Sequence, residues 1–462
     1  MTTDSIEAPR RRPLARVADA VKAALAERTD RSRALRSAGA AFLIRIASAA
    51  LVYLTQVLLA RWMGSFEFGV YVYVWTWVLL LGGVIDLGLA SSSQRFIPEY
   101  SGSGQLDLLR GFLSGSRWLV MGLASGLALL AAAGVWLAEP WIKSYELMPL
   151  YLACVALPVF ALGRMQDGIA RSHDWINLAL MPAYIWRSLL LIGVMAAAYA
   201  LGFPTNASTA MMAAIVTTWI TVAGQTLVVN RRLTRRIAPG PKAYRAGTWL
   251  GVSLPIFMVE GFYMLLTYAD VIVLQQYVSP DQVAVYYAAA KTLALVAFVY
   301  FSVAAATAHK FSEFHIAGER EKLSAFFGDA IRWTFWPSLA ATLIILGLGK
   351  PFLWLFGPQF VDGYYLMFIL AIGPLARATV GPAERLLNMV GEQRACAVVY
   401  MAAFLGNIAL CVVLIPLFGI AGAAMAISGA MILEAGLLFV VTKERLGLHV
   451  FIWRPKRLRA GK

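Results

Sequence analysis

The stretch LLARWMGSFEFGVYVYVWTWVLLLGGVIDLGLASSSQRFIPEY, Leu58–Tyr100, decides the fold. Between Phe68 and Ala90 it holds one charged residue, Asp86. A helix of that length covers about 35 Å, slightly more than the hydrocarbon core of a bilayer. The run is bounded by Arg61 on one side and Arg95 on the other, and a second apolar run, residues 38–60, precedes it. Two successive membrane spans are the direct reading.

Working outward from this pair, apolar runs long enough to span recur at residues 112–137, 147–163, 178–201 and 209–229, which makes six. Six more follow at 248–274, 282–308, 331–348, 363–381, 395–417 and 420–442. The whole chain of 462 residues is 60% hydrophobic and 14% charged, against about 45–50% and 25% for soluble proteins. A soluble globule, a disordered chain and a coiled coil are excluded.

The net charge of +15 is localised. Residues 1–36 carry +4, residues 230–247 carry +6 and residues 443–462 carry +6, so the remainder is close to neutral. Threading the charges through twelve spans with both termini inside leaves Arg61, Lys143 and Lys350 in the outer loops and 31 basic residues in the inner tails and loops. That asymmetry predicts cytoplasmic termini and basic segments that touch anionic lipid; nucleic acid is not an expected partner. Cys154, Cys396 and Cys411 fall in apolar stretches, and no Cys or His spacing suits a metal. No Walker, G-x-S-x-G or phosphate-loop motif is present, so the chain is not expected to be an enzyme or to need a cofactor.

An offset of 215 lays Val70-Tyr71 on Val285-Tyr286 and Arg117-Trp118 on Arg332-Trp333. An even number of spans per repeat keeps both repeats in one orientation. The predicted fold class is therefore an all-α polytopic membrane protein of about twelve transmembrane helices in two six-helix lobes, related by a pseudo-twofold along the membrane normal. Its parts are a basic tail (1–36), an N-lobe (37–230), a basic linker (231–247), a C-lobe (248–442) and a second basic tail (443–462). Residues 94–110 and 309–328 are read as amphipathic helices lying on the membrane surface.

The opening stretch also resembles the start of the polysaccharide transporters, the O-antigen type repeat-unit flippases of the multidrug/oligosaccharidyl-lipid/polysaccharide exporter superfamily. The cues are Ala60-Arg61-x-x-Gly64, Gly69-x-Tyr71, Asp86-Leu-Gly88-Leu89 and Arg95, with Val285-Tyr286-Tyr287-Ala-Ala-Ala-Lys291 resembling the family's eighth span. The resemblance implies transfer of a polyprenyl-diphosphate-linked oligosaccharide from the inner to the outer leaflet of a bacterial cytoplasmic membrane, alongside polysaccharide polymerase partners. A cation-coupled multidrug antiporter of the same fold and a lipid II flippase are the alternatives. The lipid II flippases usually carry fourteen spans.

Charges inside spans are costly and tend to face a wet interior. Ser253, Glu260, Tyr263, Thr267 and Asp270 recur at helical spacing and predict a polar stripe lining a cavity with a kink at Pro255 beside it; a helix–helix seam held by hydroxyls, with Pro255 a passive bend, is the alternative. Arg45 aligns with Glu260 in the repeat, which suggests a charge pair across the lobes; a snorkelling arginine is the plain alternative. Lys291 with Tyr287, together with Arg45 and Arg187, is the expected headgroup set, since cations hold a diphosphate. A structural pairing of Lys291 with Asp270 or Glu260 is its alternative. Glu260, Asp270 and Glu434 are candidates for coupling to H+ or Na+, with a buried neutral acid the alternative for Glu434. Arg187 and Arg377 also read as interface anchors, and Asp86, Arg95, Arg117 and Arg332 as span-end charges that pair with one another.

Overall fold

A computed structural model describes the backbone from residue 30 to residue 453 and the side chains from residue 47 to residue 453. Residues up to Ser48 form a separate unit, so packing is described from Ala49 onward. The first basic tail, most of the second and the Arg45 side chain lie outside the described residues.

Long apolar runs without internal turn chemistry form long helices. α1 (Asp30–Val84) is 55 residues, about twice what one crossing needs. It divides at Gly64, whose φ of 77° and ψ of 172° break the helical geometry between the first and second spans. α2 (Leu89–Gly102) continues the second span after a turn, and α3 (Leu106–Ala138) and α4 (Ser144–Ser172) follow. The fifth span is interrupted: α5 (Ile176–Met181) passes through a π-turn at Pro182–Trp186 into α6 (Arg187–Ala200). α7 (Ala207–Arg236) ends at the basic linker.

The second half opens with α8 (Ala246–Leu274). Its eighth span is likewise broken, α9 (Pro280–Leu293) joining α10 (Ala297–Ile316) through a 3-10 turn. Then come α11 (Arg320–Gly347), the short α12 (Gly349–Phe356), α13 (Tyr364–Thr379), α14 (Ala383–Met389), α15 (Gln393–Phe418) and α16 (Ile420–Leu446). Among the described residues, eleven helical segments are long and apolar enough to cross a membrane, and the first of them, reaching Gly102, contains the second span and the end of the first. Twelve crossings result.

Within each half, the helices pack on one another. α3 packs on α4, α2 on α4 and α4 on α7; in the second half α15 packs on α16, α8 on α15 and α13 on α16. Left-handed glycines stand at matching turns, Gly104 (φ 71°) before α3 and Gly318 (φ 70°) before α11. Residues 94–110 and 309–328 are not surface helices: each runs to the end of one helix, turns at such a glycine and starts the next. A span-length helix and its successor share the polar residues that a lone amphipathic helix would need. Leu129, Leu130, Trp136, Leu343, Ile344 and Leu417 are largely exposed, as suits side chains solvated by lipid.

Contacts between the halves run along α1, α2 and α3 on one side and α8, α9 and α12 on the other. Far from the basic linker, Phe68 packs against Tyr287, Phe356 and Phe360, and the Tyr53 hydroxyl lies 3.0 Å from that of Thr292. Gln275 donates to Glu146 at 2.9 Å. Nearer the linker, Ser92 and Ser253 share a 2.7 Å hydrogen bond and Trp249 Nε1 donates to the Tyr100 hydroxyl at 3.1 Å. Gly69 makes the closest approach possible, because a Cβ there would sit 1.9 Å from the Pro280 carbonyl oxygen. Gly69→Val is expected to cost about 1–3 kcal/mol of stability by overpacking, read as a lower melting temperature in detergent. Gly193→Val, where a side chain meets open space, is the control that should melt like the parent.

Candidate functional site

A cavity of about 240 Å³ lies inside the second half, lined among others by Tyr263, Tyr268, Asp270, Lys291, Arg377 and Glu434. Four spans supply its charged residues for local reasons. α8 contributes Tyr263, Thr267 and Asp270 from its polar stripe. Lys291 sits in the last turn of α9, where the 3-10 turn Ala294–Val296 interrupts the helix. α13 and α16 supply Arg377 and Glu434.

The four charges lining the cavity balance formally, but they are not equally available. Asp270 is 5% exposed and accepts a hydrogen bond from the Tyr286 hydroxyl. Glu434 is fully buried with Arg377 Nε 3.3 Å away, and Arg377 Nη2 also lies 3.2 Å from Glu384 and 3.1 Å from the Tyr400 hydroxyl. The same guanidinium stacks 4.6 Å over Tyr300, whose hydroxyl donates to Glu384 at 3.0 Å. Lys291 makes no ion pair among the described residues. Its ammonium stands 4.9 Å over the Tyr287 ring and 6.0 Å from that of Tyr268.

Asp270 is thus a buried, held carboxylate. Its second oxygen has no hydrogen-bond partner among the described residues, so Tyr286→Phe strands it completely. A loss of about 1–3 kcal/mol is expected, measured by thermal denaturation, and Tyr365→Phe, exposed to lipid, should change nothing.

Opposite this cavity, the first half presents its own charges. The π-turn at Pro182–Trp186 ends at Arg187, whose guanidinium lies 5.5 Å over Trp75 and 5.7 Å over Phe160. Asp86, 1% exposed, pairs with Arg164 at 3.2 Å, and Asp167 accepts from Gln225 at 2.9 Å with Arg171 3.9 Å away. Tyr268 joins the two sides: it lies within electrostatic reach of Lys291 and Tyr287 in its own half and of Arg164 across the seam. Arg187 reaches the same tyrosine. Glu260 accepts from Ser91 of α2 at 2.6 Å, so the stripe divides, Glu260 and Ser253 meeting the first half while Tyr263, Thr267 and Asp270 face the cavity.

Of the sequence candidates, Lys291, Tyr287, Asp270 and Glu434 share one cavity, whereas Arg187 stacks on Trp75 and Phe160 and Glu260 bonds Ser91, both outside its lining. The Arg45 side chain is outside the described residues. Arg377 is not an interface anchor: it is buried and ion-paired at the centre of a network. Asp86 pairs with Arg164 and not with Arg95, Arg117 or Arg332; Arg95 pairs with Glu99 and Arg332 with Asp329 on the surface. Arg164, Asp167 and Arg171 were missed because the apolar run was closed at Gly163. The signal was their i, i+3, i+7 spacing, which continues the helix to Ser172.

The family described as polysaccharide biosynthesis protein matches residues 34–314. No curated protein matches the sequence. Among solved structures, an inward-facing multidrug resistance MATE family transporter of the MOP superfamily is similar at 17% identity, over 88% of this chain and 94% of that one, with a TM-score of 0.69. A MOP superfamily transporter from Pyrococcus furiosus is similar at 16% identity, over 90% and 95%, with a TM-score of 0.67. The lipid II flippase MurJ in an inward closed conformation is similar at 16% identity, over 87% of each chain, with a TM-score of 0.65. At these identities the likeness is one of fold.

Proposed function

Because the chain belongs to the polysaccharide biosynthesis protein family, we propose that it flips a polyprenyl-diphosphate-linked oligosaccharide from the inner to the outer leaflet by alternating access. On this reading it sits in a bacterial cytoplasmic membrane with both termini and the basic linker inside, and the outer leaflet is where polymerases take over its product. The coarse statement, a multi-pass transporter of this family, rests on the match and the twelve-span fold. The finer one rests on the site.

The observation that carries it is Lys291, a cation in a low-dielectric, tyrosine-lined cavity with no carboxylate bound to it. An ammonium held there by aromatic faces is a point charge available to a diphosphate. Arg187, stacked across the seam, supplies a second. Tyr263, Tyr268, Tyr287 and Tyr300 line the same cavity and offer ring faces to sugars, and on this reading the lipid tail stays in the membrane.

Size argues for movement. A volume of about 240 Å³ is below the ~300–1,000 Å³ of sites that enclose drug-sized ligands, so an oligosaccharide needs the halves apart. The hydrogen bonds across the seam near the linker are single ones, Ser91 to Glu260, Ser92 with Ser253 and Trp249 to Tyr100, beside the packing of Trp249 on Phe112. Each contributes about 0.5–1.5 kcal/mol net, weak enough to exchange. Glu260 is placed to report opening, since separation of α2 from α8 frees its carboxylate for a proton or Na+. Asp270 and Glu434, already engaged by Tyr286 and Arg377, are proposed to gate only after those contacts open.

The test is depletion of the protein in its host, followed by probing which leaflet holds lipid-linked oligosaccharide with a periplasmic glycan-modifying enzyme. Accumulation of protected, inward-facing intermediates supports the proposal and gives the substrate by mass. Unchanged lipid distribution together with altered retention of a cationic dye would replace it with the antiporter.

A further inference from the structure

We propose that the first half carries, at its linker end, a binding site for the phosphate head group of an anionic membrane phospholipid, built on Arg117 and Lys242. The site is a second cavity of about 540 Å³ between α3, α4, α7 and the linker that follows α7. It shares no residue with the cavity that holds Lys291.

The linker is a fixed wall of this cavity. Arg110 Nε donates to the Ala238 carbonyl at 2.8 Å, and Ala243 N–H donates to the Asp107 carbonyl at 2.9 Å. The backbones meet so closely that a Cβ at Gly111 would lie 1.7 Å from the Ala243 carbonyl oxygen. Residues 237–242 are thereby held against the start of α3.

Inside, Arg117 uses only part of its guanidinium. Nη1 donates to Asn230 at 2.8 Å, whereas Nε and Nη2 are buried and meet no acceptor among the described residues. Those two nitrogens form one edge of the guanidinium, a fork that matches two oxygens of a single phosphate. Buried donors left unmade are costly, and no Asp or Glu lines the cavity to fill them. Lys242 of the linker, donating to Ser114 at 3.2 Å, adds a further cation, while the third, Arg110, is held by Asp107 and Ala238.

The remaining walls identify the source of the phosphate. Trp118, 75% exposed, follows Arg117 directly and Met121 lies one turn further along α3, on the side toward the membrane core. Cations at the rim with an apolar, aromatic flank below suit a phospholipid and its acyl chain. The internal repeat provides a contrast. Arg332-Trp333 occupies the equivalent place in α11, but the Arg332 side chain is 62% exposed and lies 3.6 Å from Asp329. Only the copy walled by the linker has an unfilled fork.

A head group bridging Arg117 and Lys242 fastens the linker, which is the covalent connection between the two halves, to α3.

The experiment uses the purified full-length protein in detergent. Native mass spectrometry counts retained phosphatidylglycerol, and melting temperature is followed on adding phosphatidylglycerol, phosphatidylcholine or inorganic phosphate. Phosphatidylglycerol is expected to stay bound and to raise the melting temperature, and the other two are not. Arg117→Gln and Lys242→Gln should each weaken the effect about fivefold, and Arg332→Gln should leave it unchanged. Lys242 is exposed on the linker, so its variant carries the comparison if Arg117→Gln folds poorly. Equal retention by the parent and Lys242→Gln, or equal stabilisation by phosphatidylcholine, overturns the site. An equal effect of inorganic phosphate overturns the lipid assignment.

Discussion

Lys291→Ala is expected to slow flipping of a polyprenyl-diphosphate oligosaccharide by about 10–100-fold, the loss that follows from removing one charge-assisted contact to the head group, while the protein folds as before. The ammonium rests on Tyr287 and Tyr268, and no carboxylate lies within salt-bridge distance among the described residues; Asp270 feels its charge across the cavity but keeps its hydrogen bond from Tyr286, so alanine breaks no ion pair. That separates it from every other charge in the cavity. Lys291→Arg should recover much of the rate, because it keeps the cation, and Lys291→Gln should not, because it keeps only polarity. A melting temperature that falls with the activity in Lys291→Ala would mean that the lysine is structural and would remove it from the site.

Arg377→Ala is expected to act the other way, on stability before transport. The guanidinium lies between Glu434, which is fully buried, and Glu384, and Tyr400 and Tyr300 complete its surroundings. Removing one partner of a buried ion pair costs about 3–5 kcal/mol, since the remaining charge stays out of water. The double variant Arg377→Met with Glu434→Gln should regain much of that loss, because neither charge remains to be desolvated. Thermal denaturation in detergent decides it. If Arg377→Ala melts like the parent, the network does not hold α13 to α16.

The fold was legible because its signal is simple. A run such as Phe68–Ala90 has one charge and enough length to cross, and the Arg117-Trp118 and Arg332-Trp333 match survives as equivalent places on α3 and α11. Spans were harder to bound where polar residues continue a helix. Arg164, Asp167 and Arg171 were set outside α4 although their spacing belongs to it, and with them went the partner of Asp86.

The site was legible in its membership and less so in its pairing. Hydropathy finds a costly charge but not the distant residue that offsets it: nothing near Glu434 in sequence indicates Arg377, 57 positions away. The stripe on α8 shows a related limit. At 3.6 residues per turn, the 17 residues from Ser253 to Asp270 leave the ends of the stripe rotated by about 100°. One end therefore meets Ser92 of the first half while the other turns into the cavity, and a single polar face in the sequence serves two surfaces in the fold. The unfilled Arg117 fork had no sequence signal, because it depends on where the linker lies.

The measurement that bears most directly on the central claim is leaflet transfer by the purified protein. Liposomes carry the protein and a fluorescently labelled polyprenyl-diphosphate oligosaccharide in both leaflets, and an impermeant quencher is added outside. The account predicts that quenching proceeds past the outer pool to nearly all of the label, and that Lys291→Ala liposomes stop at the outer pool over the same time. Quenching that stops at the outer pool with the active, folded parent protein, under an imposed proton or sodium gradient as well as without one, would contradict it.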